Sequence, residues 1–520
     1  MPNNVLLGII AGLLFLIVLL ELDARRRRAS KGGRNKQRKP DSKPRDSRKG
    51  MSSPRASNEH SPNRQPSKPS GLLSSLAFWR KEVEEKPPEL PVELIPSADS
   101  VDRDRLAEAR TLPGFVDASW ILFAALSRHC EMLTLQCRRH CVAVRYLADG
   151  VWHDGKMIEP DLAQSAMTAL RAVCGMDTTR PASGVRGQFT ALFRGNQYKA
   201  TMVSQQRQGA EAMAIQFSGP AASLASLDEV GLRTDLQTAL QKLMDTGSGI
   251  LLLSALPGSG LRTTTQVVLH RCDRFVREMF IVEDEANRCS AVEAAEVRTY
   301  SSARGENAVS LFSDIFDMEP GIVVLRDLPD ARTVDSLCAH LDSKKCLVVS
   351  TVRARDCVEA LARILLLGVD QPAFARHVTA VLNQRLIRKL CSACKEPFDP
   401  PRAILDALGI PPGTAAEFSQ PPRQPDVVCP ECGGLGYRGR TALFELLLAD
   451  DGVRRALTSR PSLRTIQQAV LQTGSLSLRQ EGVLLVRSGV TSPQELLRVL
   501  DAGSGSREGA AAKAPAHAGS

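Results

Sequence analysis

The first apolar run along the chain, VLLGIIAGLLFLIVLL at positions 5–20, is uninterrupted, and residues 1–20 carry no charged side chain. Twenty helical residues rise about 30 Å, enough to cross a bilayer core. The basic flank, Arg25 to Arg28, lies on the C-terminal side, so the positive-inside rule puts the N-terminus outside and the bulk of the chain in the cytoplasm. A signal peptide would carry basic residues before the run and a small-residue cleavage site after it; this segment has neither. Residues 25–70 are rich in Lys, Arg, Ser, Pro and Asn with few large apolar side chains, a composition that predicts disorder. Residues 71–79 have the pattern of a short helix, and 86–96 read as Pro-rich and extended.

Order is expected to resume near Val101. Residues 120–135 have helical periodicity, with Ile121, Leu122, Ala125 and Leu126 on one face. Residues 142–147 alternate, Asp149-Gly150 signals a hairpin turn, and Val151-Trp152 begin the return strand. A second amphipathic helix, 162–174, and strands at 188–193, 197–203 and 212–217 complete an α+β pattern. After a linker and helix at 222–246, short apolar strands recur at 250–253, 279–282, 322–325 and 347–349, separated by helical stretches such as 334–341 and 358–367. Strands alternating with helices predict a mainly parallel sheet covered on both faces. Residues 453–473 and 476–500 each read as helix, the second containing a helix start with Ser492 as N-cap and Pro493 at N1. The tail, 501–520, has no core residues.

Composition changes this picture in two places. The net charge of +10 is concentrated: residues 24–50 hold 13 Lys and Arg against Asp41 and Asp46, a local +11. The remainder is close to neutral, so the basic balance describes one tail and argues against a nucleic-acid-binding body. The tail suits a grip on anionic lipid or a plain solvated tether. Apolar content of 43% is ample for two or three domains. The 13 cysteines include two CxxC pairs, and with no cleavable leader a reducing cytosol suits the body.

The strand at 250–253 leads into Pro257-Gly258-Ser259-Gly260 and then a helical stretch at 261–269. Strand, glycine turn and helix make a phosphate-binding loop, in which backbone amides at a helix N-terminus cradle an anion. A working loop reads G-x-x-x-x-G-K-[ST], with Lys on the phosphates and the hydroxyl on Mg²⁺. Here Ala255 stands for the first Gly, Leu261 for the Lys and Arg262 for the hydroxyl. What remains for nucleotide is Gly258, Ser259, Gly260, Arg262 and Thr263; with one extra loop residue, Arg262-Thr263 would slide into the Lys-Ser/Thr places.

Cys391-Ser-Ala-Cys394 and Cys429-Pro-Glu-Cys432 are two knuckles 34 residues apart. Each presents two thiolates on a tight turn, and together they suit a closed tetrahedral Cys₄ zinc site of structural type.

Between residues 115 and 500 the chain resembles the type II secretion and type IV pilus assembly ATPases. The resemblance is carried by VRYLADGVW (144–152), LLLSALPGSGLRTTT (251–265), IVEDE (281–285), MEPGIVVLRD (318–327), LVVSTVRARD (347–356), RLIRKLCSACKEPF (385–398) and CPECGGLGYRGRTALFELL (429–447). The last two are nearly intact and the others eroded. The resemblance implies an α/β, RecA-like P-loop ATPase domain with a parallel sheet at 222–500, carrying a zinc-knuckle insertion at 391–440. A smaller α+β domain at 101–221 would precede it, after a transmembrane anchor at 1–22 and a disordered linker at 23–100.

At the family's second nucleotide motif, an apolar strand ends in Gly-Glu, whose Glu supports Mg²⁺ and polarises water. The matching positions are Arg326 and Asp327. Glu283-Asp284 preserve an acidic pair near the nucleotide, Arg353 replaces a His, and Ser313 and Asp317 replace two Arg. N-domain arginines that reach the nucleotide match Arg145, Arg180 and Arg186. Phosphoryl transfer depends on positioning and charge neutralisation, so these losses point to a membrane-anchored pseudo-ATPase with weak or no hydrolysis, binding ATP or ADP with little help from Mg²⁺. Expected partners are the inner membrane, a homo- or hetero-hexamer with a conventional secretion ATPase, and secretion or pilus platform proteins. The other readings are an active motor with atypical residues and a membrane-tethered scaffold unrelated to nucleotide.

Overall fold

The computed structural model describes residues 90–95, 100–138, 140–178, 184–207, 210–219, 224, 226–288, 292–411, 418–423 and 428–501. The apolar run at 5–20, the linker to residue 89, Arg180 and the tail lie outside them. No helix among the described residues is long and apolar enough to cross a membrane. Contacts group the chain into two units, residues 1–72 with 284–289, and residues 73–283 with 290–520. Within the first, the carboxylate of Asp284 accepts the Ala286 N–H and caps a single 3₁₀ turn, Glu285–Asn287. All that follows concerns the second.

Seven strands form an antiparallel sheet: β1 (Glu93–Ile95), β2 (Cys130–Cys137), β3 (Val142–Ala148), β4 (Val151–Asp154), β5 (Val185–Phe193), β6 (Asn196–Arg207) and β7 (Ala210–Ser218), in the order β1-β5-β6-β7-β2-β3-β4. Helices α1 (Ser100–Arg110), α2 (Phe115–Leu126) and α3 (Pro160–Val173) pack on it through Leu106, Leu122, Met167 and Leu170. Order begins before the expected Val101: Val92 and Leu94 are buried and β1 pairs with β5. The helix expected over 120–135 is also two elements. It stops at Leu126, His129 takes a left-handed φ of 51°, and Cys130 starts a strand whose Leu133 and Leu135 face the core. A short apolar run fits either period, and here tertiary packing selects the strand. Between β3 and β4, Asp149 and Gly150 both have positive φ, as a two-residue hairpin turn requires.

The second sheet contains β8 (Gly249–Ala255), β9 (Met279–Asp284), β10 (Ala295–Tyr300), β11 (Ile322–Leu325), β12 (Leu347–Val352), β13 (Val378–Leu390) and β16 (Tyr437–Leu448), ordered β10-β9-β11-β12-β8-β13-β16. The pairs β9–β11, β11–β12, β12–β8 and β8–β13 are parallel, while β13–β16 is antiparallel. β8 is wholly buried and splits its side chains by period two. Leu251 and Leu253 join a cluster with α4 (Thr234–Thr246) and α5 (Leu261–Arg271). Ile250 and Leu252 join the other, built from α6 (Val309–Asp317), α7 (Ala331–Ser343), α8 (Cys357–Leu366), α9 (Gln371–His377), α11 (Asp451–Thr458) and α12 (Leu463–Gln472). Burial on both faces is why these strands read as continuous apolar runs.

The small sheet β14 (Glu396–Phe398) and β15 (Phe418–Gln420), with α10 (Arg402–Leu408), α13 (Leu478–Arg487) and α14 (Pro493–Asp501), surrounds a fourth cluster that takes Ile387 from β13 and Leu443 from β16. The C-terminal region holds four helices where sequence periodicity predicts two. Pro461 follows Arg460, whose φ is 51°, and Ser462 caps the next helix; Ser492 Oγ accepts the Glu495 N–H at 3.1 Å and caps α14.

One charged pair lies inside the first domain. Arg171 Nη1 is 3.3 Å from Glu211 Oε1, each side chain is 3% exposed, and Ser204 Oγ donates to the same oxygen at 2.7 Å. Removing one partner leaves a buried charge uncompensated. Arg171→Met should therefore destabilise this domain by about 3–5 kcal/mol, with Glu211→Leu added recovering most of the loss. Urea unfolding followed by tryptophan fluorescence reads this, since Trp120 and Trp152 both lie in the domain.

Candidate functional site

The glycine loop sits where the sequence places it, between the end of β8 and the start of α5. Its internal geometry is a tight turn. Ser259 N–H donates to Leu256 O at 3.1 Å, with Pro257 and Gly258 at the two central positions. Gly258 has φ 77°, so Pro-Gly form a type II turn that only glycine completes without strain. Pro257 has no N–H and the Ser259 N–H is already engaged, so two of the amides a phosphate cradle would use are withdrawn. Gln384 Nε2, from β13, donates to Ser259 O at 2.7 Å and holds the turn from below.

Leu261, at the lysine position, is partly buried and packs with Leu386 against the α4–α5 cluster. Arg262 and Thr263 are exposed on the first turn of α5. Thus Gly258, Ser259, Gly260, Arg262 and Thr263 share one loop and helix start, and Leu261 between them packs against the core.

Across the sheet, the ends of β9 and β11 meet. Leu325 pairs with Val282 in parallel register, so Arg326 and Glu283 occupy the next position on neighbouring strands. Arg326 Nε lies 3.4 Å from Glu283 Oε2, and the two side chains are 18% and 7% exposed. The guanidinium therefore neutralises the carboxylate that sequence reasoning offered to the nucleotide. Asp327 faces solvent, but partial burial pushes its carboxyl above the ordinary value, opposed by the Arg353 charge and the Thr351 hydroxyl. Thr351 Oγ1 also donates to the Arg326 carbonyl, tying β12 to the turn after β11. The N-domain arginines divide. Arg145 pairs with Asp154 at 2.9 Å and lies over Trp152 within its own hairpin; Arg186 is exposed on β5.

β13 carries residues that sequence reasoning did not single out as functional. Three consecutive polar side chains, Asn383, Gln384 and Arg385, are buried in this strand between apolar stretches at 380–382 and 386–387. Asn383 Nδ2 donates to Ser254 Oγ at 2.9 Å and Ala354 O at 3.2 Å; Arg385 donates to Val499 O at 2.7 Å and Arg355 O at 3.1 Å. A polar triplet inside an apolar run was the available signal, because buried polar groups demand partners. Opposite Asn383 on β16 is Glu445, which accepts the Cys357 N–H at 3.1 Å. Burial pushes its carboxyl up to about 7, against the pull of that N–H.

At the far end of β13 the four cysteines converge. Cys391 and Cys429 Sγ are 3.9 Å apart, Cys394 and Cys432 Sγ 3.7 Å apart, and all four sulfurs lie within 4.8 Å of one another. A tetrahedral ion with metal–sulfur bonds of 2.3 Å separates its sulfurs by about 3.8 Å. The close pairs are formed across the knuckles, one cysteine from each, as a shared ion requires. Gly436 N–H points to Cys432 Sγ at 3.2 Å, an outer contact of the kind that steadies a thiolate ligand. The cluster could hold a metal ion such as zinc. A cavity of about 490 Å³ lies elsewhere, lined by Asp235, Lys242, Thr379 and Leu448 among others, and includes none of the residues singled out above.

Residues 119–498 match the family model described as "Type II/IV secretion system protein". Type II secretion system protein E of Pectobacterium carotovorum subsp. carotovorum is 26% identical over 390 residues, 73% of this chain and 74% of that protein. The corresponding protein of Pseudomonas aeruginosa is 26% identical over 392 residues, with the same coverage. The type IV pilus assembly ATPase PilB of Thermus thermophilus is 25% identical over 283 residues, 53% of this chain and 30% of that protein. Among solved structures, the Legionella pneumophila ATPase DotB matches with a TM-score of 0.44 at 14% identity, covering 75% of this chain and 96% of that one.

Glu445 generates a pH prediction. Its folded value lies above the unfolded one, so the native state holds the extra proton, and stability falls as pH rises between about 4.5 and about 7. Glu445→Gln should leave the melting temperature nearly unchanged at pH 5 and raise it at pH 8. An equal effect at both values would mean that the carboxyl does not titrate in this window.

Proposed function

The chain belongs to the type II/IV secretion system protein family, and on that footing we propose that it is a membrane-anchored pseudo-ATPase subunit of a secretion or pilus assembly machine. One observation carries the reading: apart from the exposed Arg262 and Thr263, the groups that would handle phosphate, Mg²⁺ or attacking water are replaced or engaged within the chain. Leu261 packs into the core, the Ser259 amide closes a turn, and Glu283 is paired with Arg326. Asp327 is one methylene shorter than the family's Glu and is faced by the charge of Arg353. Each such loss costs a factor of about 10²–10³ by analogy with a single transition-state donor, and several coincide. Arg262 and Thr263 keep a weak attraction for ATP or ADP that Mg²⁺ does little to strengthen.

In this reading the four cysteines hold one structural zinc, with no open coordination position for catalysis. The domains are the anchor at 1–22, the basic linker, the α+β domain and the RecA-like domain with its knuckle. Residues 5–20 cross the inner membrane once with the body in the cytoplasm, and the basic stretch 24–50 lies against anionic lipid. The partners are other subunits of a hexamer, homomeric or mixed with a conventional secretion ATPase, and the platform proteins of the machine; nucleic acid is not among them.

Purified full-length chain should turn over ATP at background, and any ATP binding measured by equilibrium dialysis should be nearly the same with and without Mg²⁺. Leu261→Lys with Arg262→Thr should strengthen Mg²⁺-dependent binding without restoring full turnover, because Asp327 and Arg353 remain. Robust turnover by the unmodified protein, lost in Asp327→Asn, would overturn the pseudo-ATPase reading in favour of an active motor with atypical residues.

The anchor is tested separately. The chain should stay with membranes through carbonate extraction, and a reporter fused after Ser520 should be cytoplasmic. Release by carbonate would show that residues 5–20 do not span.

A further inference from the structure

The second cysteine knuckle lies against the N-terminal sheet. Pro430 and Glu431 are the two residues between Cys429 and Cys432, and both present backbone carbonyls to that sheet. Arg194 Nη1 donates to Pro430 O at 3.4 Å, and His129 Nε2 is 3.0 Å from Glu431 O. Gly433, next after Cys432, runs so close beneath the end of α2 that a Cβ there would lie 2.7 Å from Arg128 Cγ and 2.8 Å from Ser127 O. A few residues on, Gly439 N–H donates to Asp149 Oδ2 at 2.9 Å and Arg440 pairs with Glu131 at 2.6 Å.

Taken singly these are weak. The Arg440–Glu131 side chains are 33% and 39% exposed, and exposed pairs contribute little alone. What gathers them is position: the two acceptor carbonyls and the closely packed glycine belong to the turn that brings Cys429 and Cys432 together. A metal fixes both sulfurs, and so fixes the peptide planes between them. Without it, the knuckles keep backbone bonds such as Cys391 N–H to Gly436 O at 3.0 Å, but the four sulfurs within 4.8 Å lose the one partner they share.

We propose that the four-cysteine centre is a metal-dependent docking surface for this chain's own N-terminal domain. Metal in the knuckle holds β2, the β3–β4 turn and the β5–β6 turn against the body, and loss of the metal releases them. The inference rests on the zinc reading of the cysteines, and not on whether nucleotide is hydrolysed.

The test is hydrogen–deuterium exchange on the full-length chain, with zinc content measured on the same sample. Chelation should raise exchange about tenfold in peptides covering 127–133 and 149–154 while β8 and β11 stay protected, and added zinc should reverse it. On zinc-loaded protein, Glu131→Arg and Arg440→Glu should each loosen the same peptides, and the double variant should restore protection. Zinc present but exchange unchanged on chelation overturns the docking and leaves the metal reading intact. No zinc in reduced, metal-replete protein overturns both. Equal loss of protection in β8 and β11 overturns docking as a separable event.

Discussion

Everything in the larger domain depends on the need of β13 to satisfy buried polar side chains along an interior strand. It pairs with β8 on one side and β16 on the other, and most of its side chains, Asn383 to Arg385 among them, are shut away from water. Asn383, Gln384 and Arg385 answer that need by bonding to three different segments: the end of β8, the glycine turn and the C-terminal end of α14. Farther along, Arg388 pairs with Glu495 at 2.7 Å, the two side chains being 9% and 0% exposed, and stacks over Tyr437. The strand then enters the first cysteine knuckle. One element thus fixes the loop, the terminal helices and the four-cysteine cluster in a single frame.

Within that frame, the glycine turn and the ends of β9 and β11 make local contacts of their own. Arg326 and Glu283 form an ion pair at the ends of two neighbouring strands. The guanidinium offsets the carboxylate's charge where both side chains are largely buried. Leu261, like Leu386, is partly buried against the α4–α5 cluster. The substitutions are therefore compatible with a stable resting loop.

Features written in contiguous residues were legible in the sequence: strand, glycine turn and helix at 250–269, the Asp149-Gly150 hairpin, the Ser492-Pro493 helix start and the two CxxC knuckles. What was not legible is non-local. The partnership of Glu283 with Arg326 joins residues on strands adjacent only in space, and Gln384 reaches a loop 125 positions away. The continuous helices expected over 120–135 and 453–473 failed at single residues, His129 and Arg460, whose left-handed backbones no periodicity measure registers. Arg145 illustrates the converse. The resemblance singled it out, and the structure adds its pairing with Asp154 directly across the hairpin.

The continuity of β13 has a mechanical side. Thirteen residues of strand form a rod of about 40 Å, held near its middle to the glycine turn through Gln384 and leading at its far end into the cysteines. A pull on the cysteine end loads the ladders to β8 and β16 in shear, in which many hydrogen bonds share the force, and they do not open one by one. The rod therefore transmits displacement with little stretch, and tension applied at the knuckle arrives at the turn held by Gln384 as motion of the whole strand.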